Sequence, residues 1–221
     1  TLSDGLTVRY DAGSFSVASI TSYQYSDDEM ILDQDFLPLS YFTLTQARTE
    51  HALTEDVVVR SRDDGVYRWL AGAFGFVRHM RMEAPVTFLK DGIDNLILSH
   101  IRSEEIRAWW GTPDSPTDEF LLDSRFRNPS WGAALYHEST LVLGRWRLAA
   151  GLRVDYEHGR LDYRSATASD YTTQTVSDGL IYPHRIAIDN DDALRLSFTE
   201  VLPRFSAQVR LGAERRSTLY A

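Results

Sequence analysis

The sequence predicts an all-β protein, an antiparallel meander of about eight strands with the loop pattern of a barrel wall. Three observations predict it. Residues 145–157 alternate strictly, with Trp146, Leu148, Ala150, Leu152, Val154 and Tyr156 apolar and Arg147, Ala149, Gly151, Arg153, Asp155 and Glu157 small or charged. Side chains on a strand point to opposite faces with period two, so this segment carries one oily face and one polar face. Tight, Gly-bearing reversals at Asp11-Ala12-Gly13, Asp63-Asp64-Gly65, Leu143-Gly144 and from Leu211-Gly212 to Arg216 alternate with long connections over 26–52, 79–130 and 159–193. Finally, the longest apolar run, Trp69 to Val77, is far shorter than the ~18 residues a membrane-crossing helix needs.

On the alternation alone, a membrane barrel and a soluble β-sandwich are equal readings. About eleven residues at ~3.3 Å each, tilted by ~45°, cover the hydrocarbon thickness of a bilayer, which is long for a sandwich strand. Segregated loop lengths, short at one end and long at the other, favour the barrel.

The strands are expected at 4–11, 14–26, 51–61, 66–79, 129–141, 144–158, 193–211 and from 216 onward. In the second, Phe15 and Val17 lead to Tyr23 and Tyr25, with Ser19 and Thr21 between. The fourth, Trp69 to Phe76, is apolar on both faces and leaves its orientation open. The seventh places Val201, Pro203, Phe205, Ala207, Val209 and Leu211 on one face, and Leu202, Arg204, Ser206, Gln208 and Arg210 on the other. Pro203 marks a bend or an edge position. Within the second long connection, Ile93, Leu96, Ile97, Ile101 and Ile106 have helical spacing, with Gly111 and Pro113 as stops.

Composition removes several function classes. The 221 residues contain no cysteine, which excludes disulfides, thiolate metal sites and cysteine nucleophiles. A net charge of -9 lacks the basic stripe of a nucleic-acid binder. No GxSxG, HExxH or Gly-rich phosphate loop occurs. His137-Glu138 lacks a second histidine, and the two fall on opposite faces of their strand. No catalytic residue, metal site or cofactor is expected. The acidic runs at Asp27, Asp28, Glu29, Asp33 and Asp35, and at Asp189-Asn190-Asp191-Asp192, match no calcium loop and read as solvated surface.

Candidate ligand contacts are the inward charges Arg147, Arg153, Asp155 and Arg204, which otherwise form a cross-strand charge ladder. Trp109 and Trp110 are the others. They would stack on a ring-bearing ligand or serve as loop core.

Three segments together resemble TonB-dependent outer-membrane receptors: Arg68-Trp69-Leu70-Ala71-Gly72-Ala73-Phe74-Gly75-Phe76 after its turn, Gly132 to Glu138 followed by Arg145-Trp146 and Ala150 to Glu157, and Phe198-Thr199-Glu200-Val201-Leu202-Pro203-Arg204-Phe205-Ser206. In style and loop length the chain is most similar to receptors of Bacteroides-type bacteria. The resemblance implies an outer-membrane barrel of about 22 strands around an N-terminal plug. It implies import of a siderophore, haem, cobalamin or glycan without catalysis. Energy would come from the TonB complex through an N-terminal peptide box. Neither plug nor box is visible, so residues 1–221 are expected to be one middle segment of the barrel. Such a segment, taken alone, is expected to self-associate through its open strand edges. Its other expected neighbour is outer-membrane lipid. The alternative is a soluble β-sandwich module, possibly carbohydrate-binding, with Trp146, Leu148 and Leu152 buried against a second sheet. An all-β hydrolase lacks a positioned acid and base.

Overall fold

A computed structural model describes residues 1–33, 38–62, 64–211 and 217–220. Asp35 of the first acidic run, Asp63 of its turn and the turn at 212–216 lie outside the described residues.

The chain is an antiparallel sheet laid down in sequence order. Its strands are β1 (Leu2–Asp11), β2 (Phe15–Asp33), β3 (Phe42–Ser61), β4 (Tyr67–Glu83), β5 (Val86–Phe88), β6 (Ile106–Thr112), β7 (Ser115–Pro116), β8 (Phe120–Leu143), β9 (Trp146–Thr175), β10 (Ile181–Leu211) and β11 (Ser217–Tyr220). The main path runs β1-β2-β3-β4-β8-β9-β10-β11. The segment between β4 and β8 forms a cap. There β5 bridges β3 and β8, and β6 pairs with the far end of β9. Between β5 and β6 lies a short helical segment, wound over Lys90–Gly92, Ile93–Ile97 and Leu98–His100.

Tight turns gather at one end. The 144–145 reversal between β8 and β9 uses Gly144 at φ 61, a left-handed conformation that costs a side-chain-bearing residue steric strain. At the other end the strands run on where connections were expected. β9 and β10 pair in one register from Trp146↔Val209 to Gln174↔Ile181, so 159–193 is a tall hairpin rather than a loop. β2 and β3 likewise pair out to Asp33↔Thr43.

Burial is inverted relative to a water-soluble sheet. Along β8, Trp131, Ala133 and Leu135 are exposed, while Gly132 and Ala134 between them are buried. Phe205 is 79% exposed and Leu135 68%, whereas Ala134 is 3% and Thr140 5%. The sandwich alternative needs Trp146, Leu148 and Leu152 under a second sheet; they are 48%, 40% and 49% exposed. One face is therefore convex and apolar, the other concave and polar. From Trp146 to Tyr156 the convex stripe is about 33 Å long, a band of about 25 Å at barrel tilt. Aromatic residues border it, with Tyr10, Phe15, Tyr67 and Trp146 near the tight turns and Tyr23, Trp131 and Tyr156 at the other edge. Glu55 interrupts the stripe, and there the Ser19 and Thr21 hydroxyls donate to its carboxylate at 2.6 and 2.5 Å.

Candidate functional site: the concave wall and its cap

The concave face is organised by glycines. Gly72 on β4 lies beneath the ring of Tyr136, which comes across from β8. A Cβ at Gly72 would meet the ring at 2.3 Å. With that space open, the Tyr136 hydroxyl passes over β4 and donates to Asp56 Oδ1 on β3 at 2.6 Å. Gly132 in the same way lies under the Phe76 ring, 2.5 Å from where a Cβ would stand. The large apolar residues of β4 therefore need not face outward. Phe74 and Phe76 lie on the concave side, and Gly132 leaves the room that Phe76 takes.

Charges are pinned onto this layer. The Arg153 guanidinium lies 5.7 Å from the ring centres of both Phe74 and Tyr136, within cation–π range. It also grips Asp155, with Nε and Nη2 donating at 2.8 and 2.7 Å. Arg204 Nη1 stands 3.6 Å from Glu138 Oε2. Nearer the tight turns, Arg9, Asp11, Asp56, Arg60, Glu138 and Arg147 line a depression of about 540 Å³. Arg147, Arg153, Asp155 and Arg204 thus share one face. Arg153 and Asp155 pair with each other, and Arg204 pairs with Glu138. His137 instead hydrogen-bonds Ser139 on the convex side, 2.9 Å from Nε2 to Oγ, so it stands apart from Glu138. Asp56, Tyr136 and Gly72 were missed in the sequence. The clue available was a glycine in β4 facing a tyrosine in a strand distant in the chain.

Trp109 and Trp110 belong to the cap, not to this wall. They pair with Thr172 and Tyr171, about 60 Å along β9 from Arg153. Trp110 is 3% exposed and packs with Ile93, Leu98 and Ala108. Its ring lies 4.7 Å from Phe120 and 5.9 Å from Tyr171, so it is already packed between aromatic neighbours and buried. Trp109 is half-buried and lines a depression of about 260 Å³ with Lys90, Asp94, Arg102 and Asp118. Lys90 Nζ donates to Asp94 at 2.8 Å, and Arg102 Nη2 reaches the other carboxylate oxygen at 2.8 Å. The Lys90 hydrogen bond, and after it Arg102, hold the Asp94 carboxyl below its usual range against the opposing pull of burial, and Asp94 in turn raises Lys90.

The acidic runs face arginines and hydroxyls. Asp28 pairs with Arg48 at 3.2 Å, and Asp189 takes two bonds from Arg164 at 2.9 and 3.0 Å. Among the described residues no three histidine or acidic side chains are grouped to hold a metal ion. No helix among them is long and apolar enough to cross a membrane.

No protein-family model and no curated protein matches the sequence. Among solved structures the chain is similar to the ferric yersiniabactin uptake receptor FyuA from Yersinia pestis, with a TM-score of 0.55 and 13% sequence identity. The match covers 96% of this chain and 26% of the receptor, so the chain spans about a quarter of that receptor's length. At this identity the likeness is one of fold, and it agrees with the inverted burial of the sheet. The chain has the fold of a partial outer-membrane β-barrel, an antiparallel wall whose concave side carries the polar groups.

Proposed function

We propose that the chain is a wall segment of a TonB-dependent receptor that imports a scarce nutrient across the bacterial outer membrane. In this reading the convex band meets lipid and the concave face lines the passage. Residues 1–221 form one unit of the barrel, which further strands close and a plug fills. The TonB complex acts through a region N-terminal to this wall. The chain performs no catalysis. Its role is to present fixed charges, Arg147, Arg153, Asp155 and Arg204 among them, to the plug or to a passing ligand. Siderophores, haem, cobalamin and glycans are the ligand classes to test. Ferric complexes come first, because the similar solved receptor takes up ferric yersiniabactin. If the segment is isolated, β1 and β11, each with one neighbour among the described strands, pair with a second copy.

The observation that carries this reading is the inverted burial, with Phe205 and Leu135 exposed on a face where water would penalise them. Because the chain has no cysteine, single substitutions report their surroundings cleanly. In the membrane-embedded protein, Leu135→Cys, Leu152→Cys and Phe205→Cys are expected to resist a water-soluble maleimide and to react with a lipid-soluble one. Glu138→Cys and Arg204→Cys are expected to react with the water-soluble reagent. Equal aqueous labelling of both sets would overturn the assignment.

A further inference from the structure

Just beyond the upper aromatic border, the convex face changes from apolar to charged. Cross-strand pairing builds two successive rows there. The first contains Tyr25, His51, His79 and Pro129. The second runs Asp27, Thr49, Arg81, Arg127, Asp162, Ala193. Arg81 and Arg127 are therefore directly opposed on neighbouring strands, a placement in which like charges repel. The acids in their row are engaged elsewhere. Asp162 accepts from Arg160 Nε at 2.6 Å, and Asp27 accepts from the Thr49 hydroxyl at 3.4 Å. Among the described residues, neither Arg81 nor Arg127 makes an ion pair or a side-chain hydrogen bond. Both are exposed, and with His51, His79, Pro129 and the Arg160-paired Asp162 they border a depression of about 480 Å³. Two guanidinium groups without a partner among the described residues border one concavity, and their planar forks suit a phosphate.

Height on the wall identifies the source of that phosphate. Trp131 and Tyr156, rings 5.3 Å apart, mark the edge of the apolar band. Arg81 stands four residues beyond Val77, the cross-strand partner of Trp131, which is about 9 Å further along the barrel axis. Aromatic girdles sit at the boundary between hydrocarbon and headgroups, so this distance reaches the headgroup layer.

We propose that Arg81 and Arg127, with His79 beside them, hold the phosphate of a phosphorylated lipid headgroup against the convex face. This rests on the convex band being lipid-facing, as proposed above. The test compares the membrane-embedded protein in phosphatidylcholine nanodiscs doped with a phosphorylated lipid A or with its dephosphorylated counterpart. Retained lipid is counted by native mass spectrometry. The wild type is expected to retain the phosphorylated lipid roughly tenfold in preference, from about two charge contacts. Arg81→Gln combined with Arg127→Gln is expected to bring that ratio to near one, while Arg81→Lys keeps most of it. Arg78→Gln, on the concave side of the same strand, is expected to leave it unchanged. Heat-dependent gel mobility checks folding, and the Arg81→Gln single variant, with an intermediate ratio, serves if the double variant misfolds. An equal ratio in wild type and variants overturns the proposal. Displacement of the bound lipid by millimolar inorganic phosphate overturns the lipid assignment in favour of a free-phosphate site. Failure of the wild type to enter nanodiscs overturns instead the lipid-facing reading beneath it.

Discussion

The lower and upper halves of the β9–β10 hairpin share one unbroken hydrogen-bond ladder, yet they are built on different chemistry. Below, from Trp146 to Tyr156, large apolar side chains alternate with small or charged ones and stand exposed. Above, polar residues occupy both faces. Arg160 pairs with Asp162, Arg164 with Asp189 and Arg185 with Asp170, and Thr173 hydrogen-bonds His184 at 2.8 Å. The ladder itself is indifferent to its surroundings, because backbone groups satisfy each other in either medium. The side chains mark where the apolar stripe ends. The upper half must then find stability elsewhere, and it does so in the cap packed around Trp110.

The comparison breaks most visibly at that cap. Trp110→Ala empties its core and is expected to cost about 3–5 kcal/mol of local stability. Hydrogen exchange should accelerate over 90–112 and the upper end of β9 while the lower band keeps its protection. Loss of protection across the whole sheet would show that the two halves are one cooperative unit.

The second contrast is between faces of different surroundings. Leu135→Arg, in the middle of the convex band, is expected to cost about 2–4 kcal/mol in refolding into vesicles. Ile188→Arg on the upper hairpin is expected to stay within about 0.5 kcal/mol. Similar costs at both positions would erase the distinction.

A smaller effect is expected on the concave wall. Gly72→Ala forces the Tyr136 ring off Asp56 and is expected to cost about 1–3 kcal/mol. Tyr136→Phe in the same background should add little further, because the hydroxyl has already lost its partner.

Acid sharpens the contrast again. Asp94 has a lowered folded-state pKa, chiefly through the Lys90 hydrogen bond, so its stabilising contribution is complete above the ordinary carboxylate range. It is lost as pH falls through the lowered value. The cap is therefore expected to loosen below about pH 4, before the lower band, and Asp94→Asn should remove that pH dependence. Least of all, Asp189→Ala should leave the melting profile unchanged, since both it and Arg164 are well exposed.

These halves were also unequally legible in the sequence. Period two stands out in Trp146–Tyr156 because one face is apolar and the other small or charged. Over 159–193 both faces carry polar residues, so the hydrophobic period vanishes although the strands continue, and only β-favouring residues such as Tyr171, Thr172 and Thr173 remain as a signal. The helix expected from Ile93 to Ile106 stops at His100, and Ile106 opens β6 in register with Thr175. Tertiary pairing overrides the local spacing there. The adjacent tryptophans on β6 point to opposite faces, which is why one is core and the other half-open. Trp69–Phe76 had no readable orientation because large apolar residues also stand on its concave face, where Phe76 lies over Gly132 of β8. The Asp56–Tyr136 contact joins residues 80 positions apart, beyond the reach of any local pattern. The inward placement of Arg153 and Asp155, by contrast, follows from parity alone.

The Tyr136–Asp56 bond has a mechanical meaning. It skips a strand, linking β3 to β8 as a chord across an arc whose backbone span is about two strand spacings, near 9.5 Å. Flattening the wall lengthens that chord, and a 2.6 Å hydrogen bond has little length to give. The bond therefore acts as a curvature clamp, and a probe of the Tyr136–Asp56 separation would read the local radius of the barrel directly.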